Sequence, residues 1–153
     1  MQEDLPMPDF MALALEQAHA AAARKEVPVG AVLVNADGKV LAKTGNRTEE
    51  LSDPTAHAEM LVIRAASKLM KSPRLSGCDL YVTLEPCAMC AAAISFARLR
   101  RVIFAAYDPK GGGVEHGPRF FSQSTCYHSP EVIGGIEERR ASELLKNFFE
   151  GKR

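Results

Sequence analysis

The chain alternates between helical and strand-like patterns of apolar residues, and this order predicts its elements. After Asp9, whose carboxylate suits a helix N-terminus, apolar residues recur at helical spacing to about position 25. Residues 27–34 are rich in β-branched side chains, and Asn35-Ala36-Asp37-Gly38 supplies the turn of a β-hairpin whose second strand covers 39–43. Further on, the pattern predicts a helix over 56–70, a strand over 80–84, a helix over 88–97, a strand over 101–106 and a helix over 137–150.

Apolar spacing also indicates which side of two helices is buried. In the helix over 56–70 the expected buried positions are Met60, Leu61, Ile63 and Ala66. In the last helix one face carries Ala141, Leu144, Leu145, Phe148 and Phe149. Residues 107–135 contain many Gly, Pro, Ser and His residues and are expected to form irregular structure or a short strand.

This order of elements predicts the fold class. A hairpin followed by alternating helices and strands favours an α/β fold, a three-layer α/β/α arrangement with a mixed central sheet of about five strands flanked by helices. We expect one domain over 9–153, because 153 residues with 46% hydrophobic content suffice for one core. Residues 1–8 hold two prolines and two acids and are expected to form a flexible N-terminal tail.

Charge and targeting signals narrow the class of partner. The chain carries 19 basic and 19 acidic residues, so no overall field attracts polyanions. Residues 86–153 nevertheless hold 10 basic against 7 acidic residues, which favours contact with nucleic acid in this half. The acidic start and the lack of an apolar run of about 18 residues predict a cytoplasmic protein that does not enter a membrane.

Two short motifs carry the candidate chemistry: His57-Ala58-Glu59, and Pro86-Cys87-Ala88-Met89-Cys90. Cys87 and Cys90 are three positions apart at the start of a helix, so both sulfurs face the same side, where the helix dipole favours thiolates. With the imidazole of His57 they give zinc three ligands, which leaves a tetrahedral ion one position for water, as in catalytic sites. Glu59 remains free to move protons, so we expect hydrolytic deamination of an amidine-like ring.

Other interpretations of the cysteines are open at this point. Cys126-Tyr127-His128 could complete a closed, structural four-ligand site. A redox pair of Cys87 and Cys90 would leave His57 and Glu59 without a role. Cys78 and Cys126 are otherwise expected to be inert, buried thiols.

His-x-Glu combined with Pro-Cys-x-x-Cys is the signature of zinc-dependent nucleobase deaminases. Three longer segments, over 26–34, 53–59 and 81–90, resemble the bacterial tRNA-specific adenosine deaminases of the cytidine/deoxycytidylate deaminase superfamily. The resemblance extends from about Phe10 to Phe149. It implies a cytidine-deaminase-like fold, a homodimer with one Zn²⁺ per subunit, and conversion of the wobble adenosine in the anticodon stem-loop of an arginine tRNA to inosine.

The resemblance also assigns roles to individual residues. His57, Cys87 and Cys90 would bind the metal, and Glu59 would be the catalytic proton carrier. The residues implied in substrate binding are Asn46, Ala58, Pro86, Asp108, Lys110 and Phe149. Among them Asn46 would bind the flipped base, Lys110 a phosphate of the anticodon backbone, and Phe149 the neighbouring nucleotides.

Two other functions share the metal motif. A deaminase of a free nucleobase or nucleoside, of guanine or cytosine type, would use the same ligands. A noncatalytic zinc-stabilised binding module would need the ligands but not Glu59. The chain departs from the resembled family over 114–128, and at Tyr107, where an arginine is frequent; these departures concern RNA contacts rather than the chemistry.

Overall fold

The computed structural model describes residues 9–151, so the predicted tail over 1–8 lies outside the described residues. Asp9 caps the first helix as expected, its Oδ1 accepting a hydrogen bond from the Ala12 N–H at 2.9 Å. The helices are α1 (Phe10–Ala23), α2 (Ala58–Met70), α3 (Ala88–Ala97) and α4 (Glu138–Glu150), and the strands are β1 (Gly30–Val34), β2 (Val40–Gly45), β3 (Asp79–Leu84), β4 (Arg101–Ala106) and β5 (Glu131–Ile133). None of the described helices is both long and apolar enough to span a bilayer.

The five strands form one mixed sheet in the order β2-β1-β3-β4-β5. β1 is antiparallel to both β2 and β3, whereas β3, β4 and β5 are parallel. The crossover from β3 to β4 runs through α3, as a parallel connection requires. The carboxyl ends of β3 and β4 therefore lie at the same edge of the sheet as the start of β1 and the end of β2.

Helices cover both faces of the sheet, which confirms the predicted three-layer fold. On one face, α1 and α4 pack through Met11, Leu15 and Ala141 against strand residues such as Val32 and Ala105. On the other, α2 and α3 bury a larger set that includes Val62, Leu80, Ile94, Val102 and Phe104. Each face thus has its own apolar core, and the sheet is buried between them.

The end of α1 and the start of β1 differ from the prediction for identifiable reasons. α1 ends at Ala23, short of position 25, because Lys25 is left-handed (φ 68°) and the N–H groups of Lys25 and Glu26 bond back to the carbonyls of Ala22 and Ala21. β1 begins at Gly30 rather than 27. Pro28 has no N–H for the ladder, and the bond from Val29 N to Val27 O (2.8 Å) closes a tight turn there.

The buried face of α2 differs from the prediction. The helix buries Ala58, Glu59, Val62 and Ala66, so the expectation was correct for Ala66. It was wrong for Met60, Leu61 and Ile63, which are only partly buried. The helix begins at Ala58, two residues later than predicted, with His57 as its N-cap.

Among the remaining elements, β3 and α4 differ from the prediction by one residue, and β2 covers Val40–Gly45 instead of 39–43. α3 and β4 have the predicted bounds, and 107–135 contains a 3-10 helix, Phe120–Ser122, and the short strand β5. α4 buries Ala141, but Phe149 near its end is 51% exposed.

Candidate active site

The three predicted metal ligands come together where α2 and α3 begin. His57 is the N-cap of α2, Cys87 is the N-cap of α3, and Cys90 lies on the first turn of α3. Their ligand atoms lie within 4.8 Å of one another, and each sulfur is 3.6 Å from His57 Nδ1. Tetrahedral zinc, with Zn–S of about 2.3 Å and Zn–N of about 2.0–2.1 Å, would separate nitrogen and sulfur ligands by about 3.6 Å. The donor set and its spacing therefore fit zinc.

The charge state of this cluster also fits a cation. Hydrogen bonds from the Cys90 thiol and the His57 ring, together with the N-terminal end of α3, favour the Cys87 thiolate and lower the pKa of Cys87 to about 4. The hydrogen bond between the two cysteines, together with burial, raises the pKa of the Cys90 thiol. The hydrogen bond to Cys87 raises the pKa of His57. The protein alone thus keeps protons in the cluster, which metal binding would release.

Glu59 lies beside the ligands but is not one of them. Its side chain is buried, only 4% exposed, and burial raises the pKa of its carboxyl to about 7. Its own backbone N–H and the Cys90 thiol act in the opposite direction and favour the charged carboxylate, but burial outweighs them and the pKa stays raised. A group with a pKa near 7 can both accept and release a proton at neutral pH.

A pocket of ≈ 300 Å³ opens over this cluster at the carboxyl edge of β3 and β4. This volume lies at the lower end of the range for small-molecule sites, about 300–1,000 Å³. The lining consists of apolar side chains from the segment before β1 and the end of β3 together with polar groups from four segments: Val27, Val29, Asn46, His57, Glu59, Leu84, Glu85, Cys87, Asp108 and Gly111.

Asn46 is held at the wall of this pocket by three bonds. Its Oδ1 accepts from Ala58 N at 2.8 Å, its own N–H donates to Val29 O at 3.0 Å, and its carbonyl accepts from Arg24 at 3.2 Å. Because Oδ1 faces an N–H donor, the NH₂ group is the part of the side chain left for a ligand.

The remaining predicted substrate residues fall into different positions. Asp108 lines the pocket, and Lys110 is exposed two residues further along the same loop. Ala58 and Pro86 are buried; the Ala58 N–H bonds Asn46, and the Pro86 carbonyl accepts from Gly113 N at 2.8 Å. Phe149 is exposed and makes an edge-on ring contact with Phe148. It is not one of the described residues that line the pocket. All these binding roles stay predictions.

The alternative four-ligand site is not formed by the described residues. Cys126 Sγ donates to the His128 carbonyl at 3.2 Å and lies 3.5 Å from Ser95 Oγ, and the His128 ring is 2.7 Å from Leu99 O. Within 9–151, the metal-type cluster contains only His57, Cys87 and Cys90. Cys78 is buried as expected, but Cys126 is only partly so.

Sequence reasoning missed part of the pocket. Val27 and Val29 were assigned to a strand, although Pro28 between them signalled an interruption of the ladder. The sequence also shows a charged residue, Glu85, directly between an apolar strand and Pro86, which could have indicated a functional position. The structure buries this carboxylate. Burial opposes the charge of Glu85, but hydrogen bonds led by the Asp108 N–H outweigh it and keep the pKa of Glu85 below its ordinary value.

Comparison with known proteins identifies the class of this site. Residues 7–106 match the model of the cytidine and deoxycytidylate deaminase zinc-binding region. This segment includes the three metal ligands and Glu59, and it ends with β4. The chain belongs to this family of deaminases.

Similarity to individual relatives shows which group of deaminases the chain belongs to. The chain is 60% identical over 144 residues to a tRNA-specific adenosine deaminase of Agrobacterium fabrum, with 94% of each chain covered. A solved structure from work on A-to-I editing by tRNA:A34 deaminases at the wobble position of transfer RNA matches with a TM-score of 0.87 and 61% identity, covering 89% of this chain and 98% of that one. A guanine deaminase structure from Bacillus subtilis, 40% identical, covers 64% of this chain and 62% of that chain with a TM-score of 0.62. Within the deaminases, the chain is a member of the tRNA-specific adenosine deaminases.

Proposed function

We propose that this protein converts the wobble adenosine in the anticodon stem-loop of an arginine tRNA to inosine by zinc-dependent hydrolytic deamination. One observation carries the chemistry: a buried carboxylate that is not a metal ligand, Glu59, shares a ≈ 300 Å³ pocket with a three-ligand zinc site. The 60% identity to a tRNA-specific adenosine deaminase supports the choice of RNA as substrate.

The reaction needs a nucleophile and a proton carrier. Zinc held by His57, Cys87 and Cys90 would make hydroxide available at neutral pH, because it can lower the pKa of water from 15.7 to about 7. Glu59 accepts the proton of the attacking water on its carboxylate and delivers it to a ring nitrogen of adenine. The oxygen then bonds to the amine-bearing carbon, and Glu59 takes the remaining proton of the new hydroxyl and gives it to the amine. The carbon–nitrogen bond breaks as the carbonyl forms, so adenosine plus water become inosine plus ammonia.

The other pocket residues hold the base. Val27, Val29 and Leu84 give apolar walls for a flat ring, and the Asn46 NH₂ supplies a directional hydrogen bond. An adenosine in an anticodon loop is already poorly stacked, so its extrusion into the pocket costs less than flipping from a duplex. Lys110 is exposed on the adjoining loop and would contact a phosphate of the anticodon backbone.

The proposal includes one Zn²⁺ per subunit, a homodimer and a cytoplasmic location, where a tRNA substrate is found. An open groove of ≈ 460 Å³ between α2 and α3, lined by Ile63, Ala93 and Phe96, supports the homodimer. Phe96 is 73% exposed, more than a large apolar side chain usually is, and a second copy could cover it. Sedimentation of the wild type and of Phe96→Glu tests this part: the variant should shift to monomer, and an unchanged distribution would contradict it.

The decisive experiment supplies the zinc-loaded protein with an arginine anticodon stem-loop and, separately, with free guanine and cytosine. We expect inosine at the first anticodon position, detected by sequencing as an A-to-G change, and no comparable turnover of the free bases. Lys110→Ala should reduce turnover of the stem-loop. Intact zinc without inosine would refute the proposal, and turnover of free bases alone would favour the guanine or cytosine type of deaminase.

A second experiment separates an enzyme from a noncatalytic zinc module. Glu59→Gln should retain zinc and lose turnover by a factor of about 10²–10⁴, the usual contribution of a general acid–base. The exposed Glu16 on α1 offers a matched control, because Glu16→Gln removes the same charge far from the pocket lining. Full activity of Glu59→Gln would exclude its catalytic role.

A further inference from the structure

Glu85 joins the end of β3 to the loop over 108–116. Its carboxylate is 2% exposed and is surrounded by N–H groups of that loop. Oε1 accepts from Asp108 N at 3.0 Å and lies 2.8 Å from His116 Nδ1. Oε2 accepts from the backbone N–H groups of Val114, Glu115 and His116 at 3.2, 2.9 and 3.1 Å.

These contacts leave Glu85 without a free acceptor. An ionised carboxylate offers about four lone-pair sites, and five donors already converge on this one. Because a carboxylate only accepts, His116 Nδ1 must carry the proton of their contact. Glu85 lines the pocket, yet its hydrogen-bonding capacity is used entirely within the protein, which distinguishes it from Glu59.

The loop is also packed directly against the metal-bearing helix. Gly113 N donates to Pro86 O at 2.8 Å, and a Cβ at Gly113 would lie 2.5 Å from Ala88 N and 2.8 Å from the Cys87 carbonyl carbon. A Cβ at Gly112 would overlap the Glu85 carboxylate. The backbone of the loop therefore reaches Glu85 and the start of α3 only because these two positions are glycines.

We propose that Glu85 is a positioning residue of the reaction, which ties the loop over 108–116, and with it Asp108 and Lys110, to the strand that leads into the metal ligand Cys87. This proposal rests on the proposed function, since it requires that the loop meet the RNA. Strand β3 continues through Glu85 and Pro86 into Cys87, so one short segment sets the distance between the substrate loop and the metal. Glu85 acts through the loop and does not touch the substrate.

The chain offers a matched control in Glu26. This glutamate is also buried, 1% exposed, and its carboxylate also accepts backbone N–H groups of a loop, those of Glu49 and Glu50 at 3.0 and 2.8 Å. Neither Glu49 nor Glu50 is one of the described residues that line the pocket. Glu26→Gln should therefore cost stability as Glu85→Gln does, without moving the substrate loop.

The experiment compares zinc-loaded wild type, Glu85→Gln, Gly112→Ala and Glu26→Gln by zinc content, amide hydrogen exchange and steady-state kinetics on the anticodon stem-loop. For Glu85→Gln we expect unchanged zinc content, faster exchange of the amides at 114–116, and a KM raised by about tenfold or more with a smaller change in kcat, because RNA contacts are lost. Gly112→Ala, which displaces the carboxylate without neutralising it, should give the same pattern and serves if Glu85→Gln does not fold. Glu26→Gln should keep the wild-type KM.

Two results would overturn this proposal. One is wild-type KM and amide protection in both Glu85→Gln and Gly112→Ala; the other is an equal rise of KM in Glu26→Gln. Inactivity of the wild type on the stem-loop would instead refute the proposed function, so the two failures are distinguishable.

Discussion

Asn46 serves the fold with one end of its amide and the pocket with the other. Its Oδ1 accepts the N–H of Ala58, the first residue of α2, which has no partner within the helix. Its NH₂ group is then left for a ligand in the pocket. A substitution can separate these two roles, because aspartate keeps the acceptor and loses the donor.

We predict that Asn46→Asp retains nearly wild-type stability but loses most deaminase activity. The carboxylate still accepts from Ala58, and its charge is favourable at a helix N-terminus. Asn46→Ala should lose activity and also about 1–3 kcal/mol of unfolding free energy, because a buried N–H is left unpaired. Urea unfolding and inosine formation measure the two effects; an active Asn46→Asp enzyme would show that the NH₂ group has no role.

At the scale of elements, Glu26 connects the end of α1 to the segment after the hairpin. Its carboxylate accepts the N–H groups of Glu49 and Glu50 and lies 3.3 Å from Thr48 Oγ1. Burial opposes its charge, but these hydrogen bonds outweigh burial and hold the pKa of Glu26 below the ordinary 4.5. A lowered pKa in the folded state stabilises the fold above the unfolded-state pKa, and this contribution disappears as pH falls through the folded value.

Glu26→Gln should accordingly cost about 1–3 kcal/mol of unfolding free energy at pH 7, as for a buried hydrogen-bond donor left without its partner. Below pH 4.5 the difference between wild type and variant should shrink, since the carboxyl is protonated first in the unfolded chain and, at lower pH, in the folded protein as well. Denaturant unfolding at pH 7, 5 and 3.5 measures this. A difference that stays constant across this range would contradict the assignment.

Secondary structure was predictable where the local pattern admits one interpretation. The bounds of α3 and β4 followed from their apolar runs, and the hairpin followed from the turn over 35–38. The buried face of α2 did not, because Met60, Leu61, Val62 and Ile63 are consecutive apolar residues and periodicity alone cannot choose among them. Docking on the sheet selects Val62, four residues from both Ala58 and Ala66.

For the whole molecule, zinc should couple the active site to global stability. Anything that binds only the folded state stabilises it, by about 2.7 kcal/mol when the free ligand is at 100 times its Kd. We predict that Tm rises with zinc and falls with a chelator in the wild type, but not in His57→Ala. Cys126→Ser is the control, because Cys126 Sγ contacts Ser95 Oγ and not the metal-type cluster. The zinc response of this variant should match that of the wild type. A zinc response retained by His57→Ala would place the metal elsewhere.

The metal site was predictable because each of its two halves is a short motif, although 30 positions separate His57 from Cys87. Cys87 and Cys90 share one helical turn, and His57 and Glu59 are two residues apart, so spacing alone indicated ligands and proton carrier. The bonds between Glu85 and His116 span 31 positions, and no local pattern records such a contact. The same holds for the meeting of Val27 with Leu84 in the pocket wall.

Within the loop over 108–116, Gly112 and Gly113 pack closely against Glu85 and the start of α3. This packing limits which loop positions can be varied to change the substrate range. Any side chain added at these two positions would collide with Glu85 or with the start of α3. Pro109, Lys110 and Glu115 in the same loop are exposed, so they can be exchanged without disturbing that packing. Libraries that aim to retarget the protein to another nucleic acid should therefore vary these three surface positions and leave the glycines as they are.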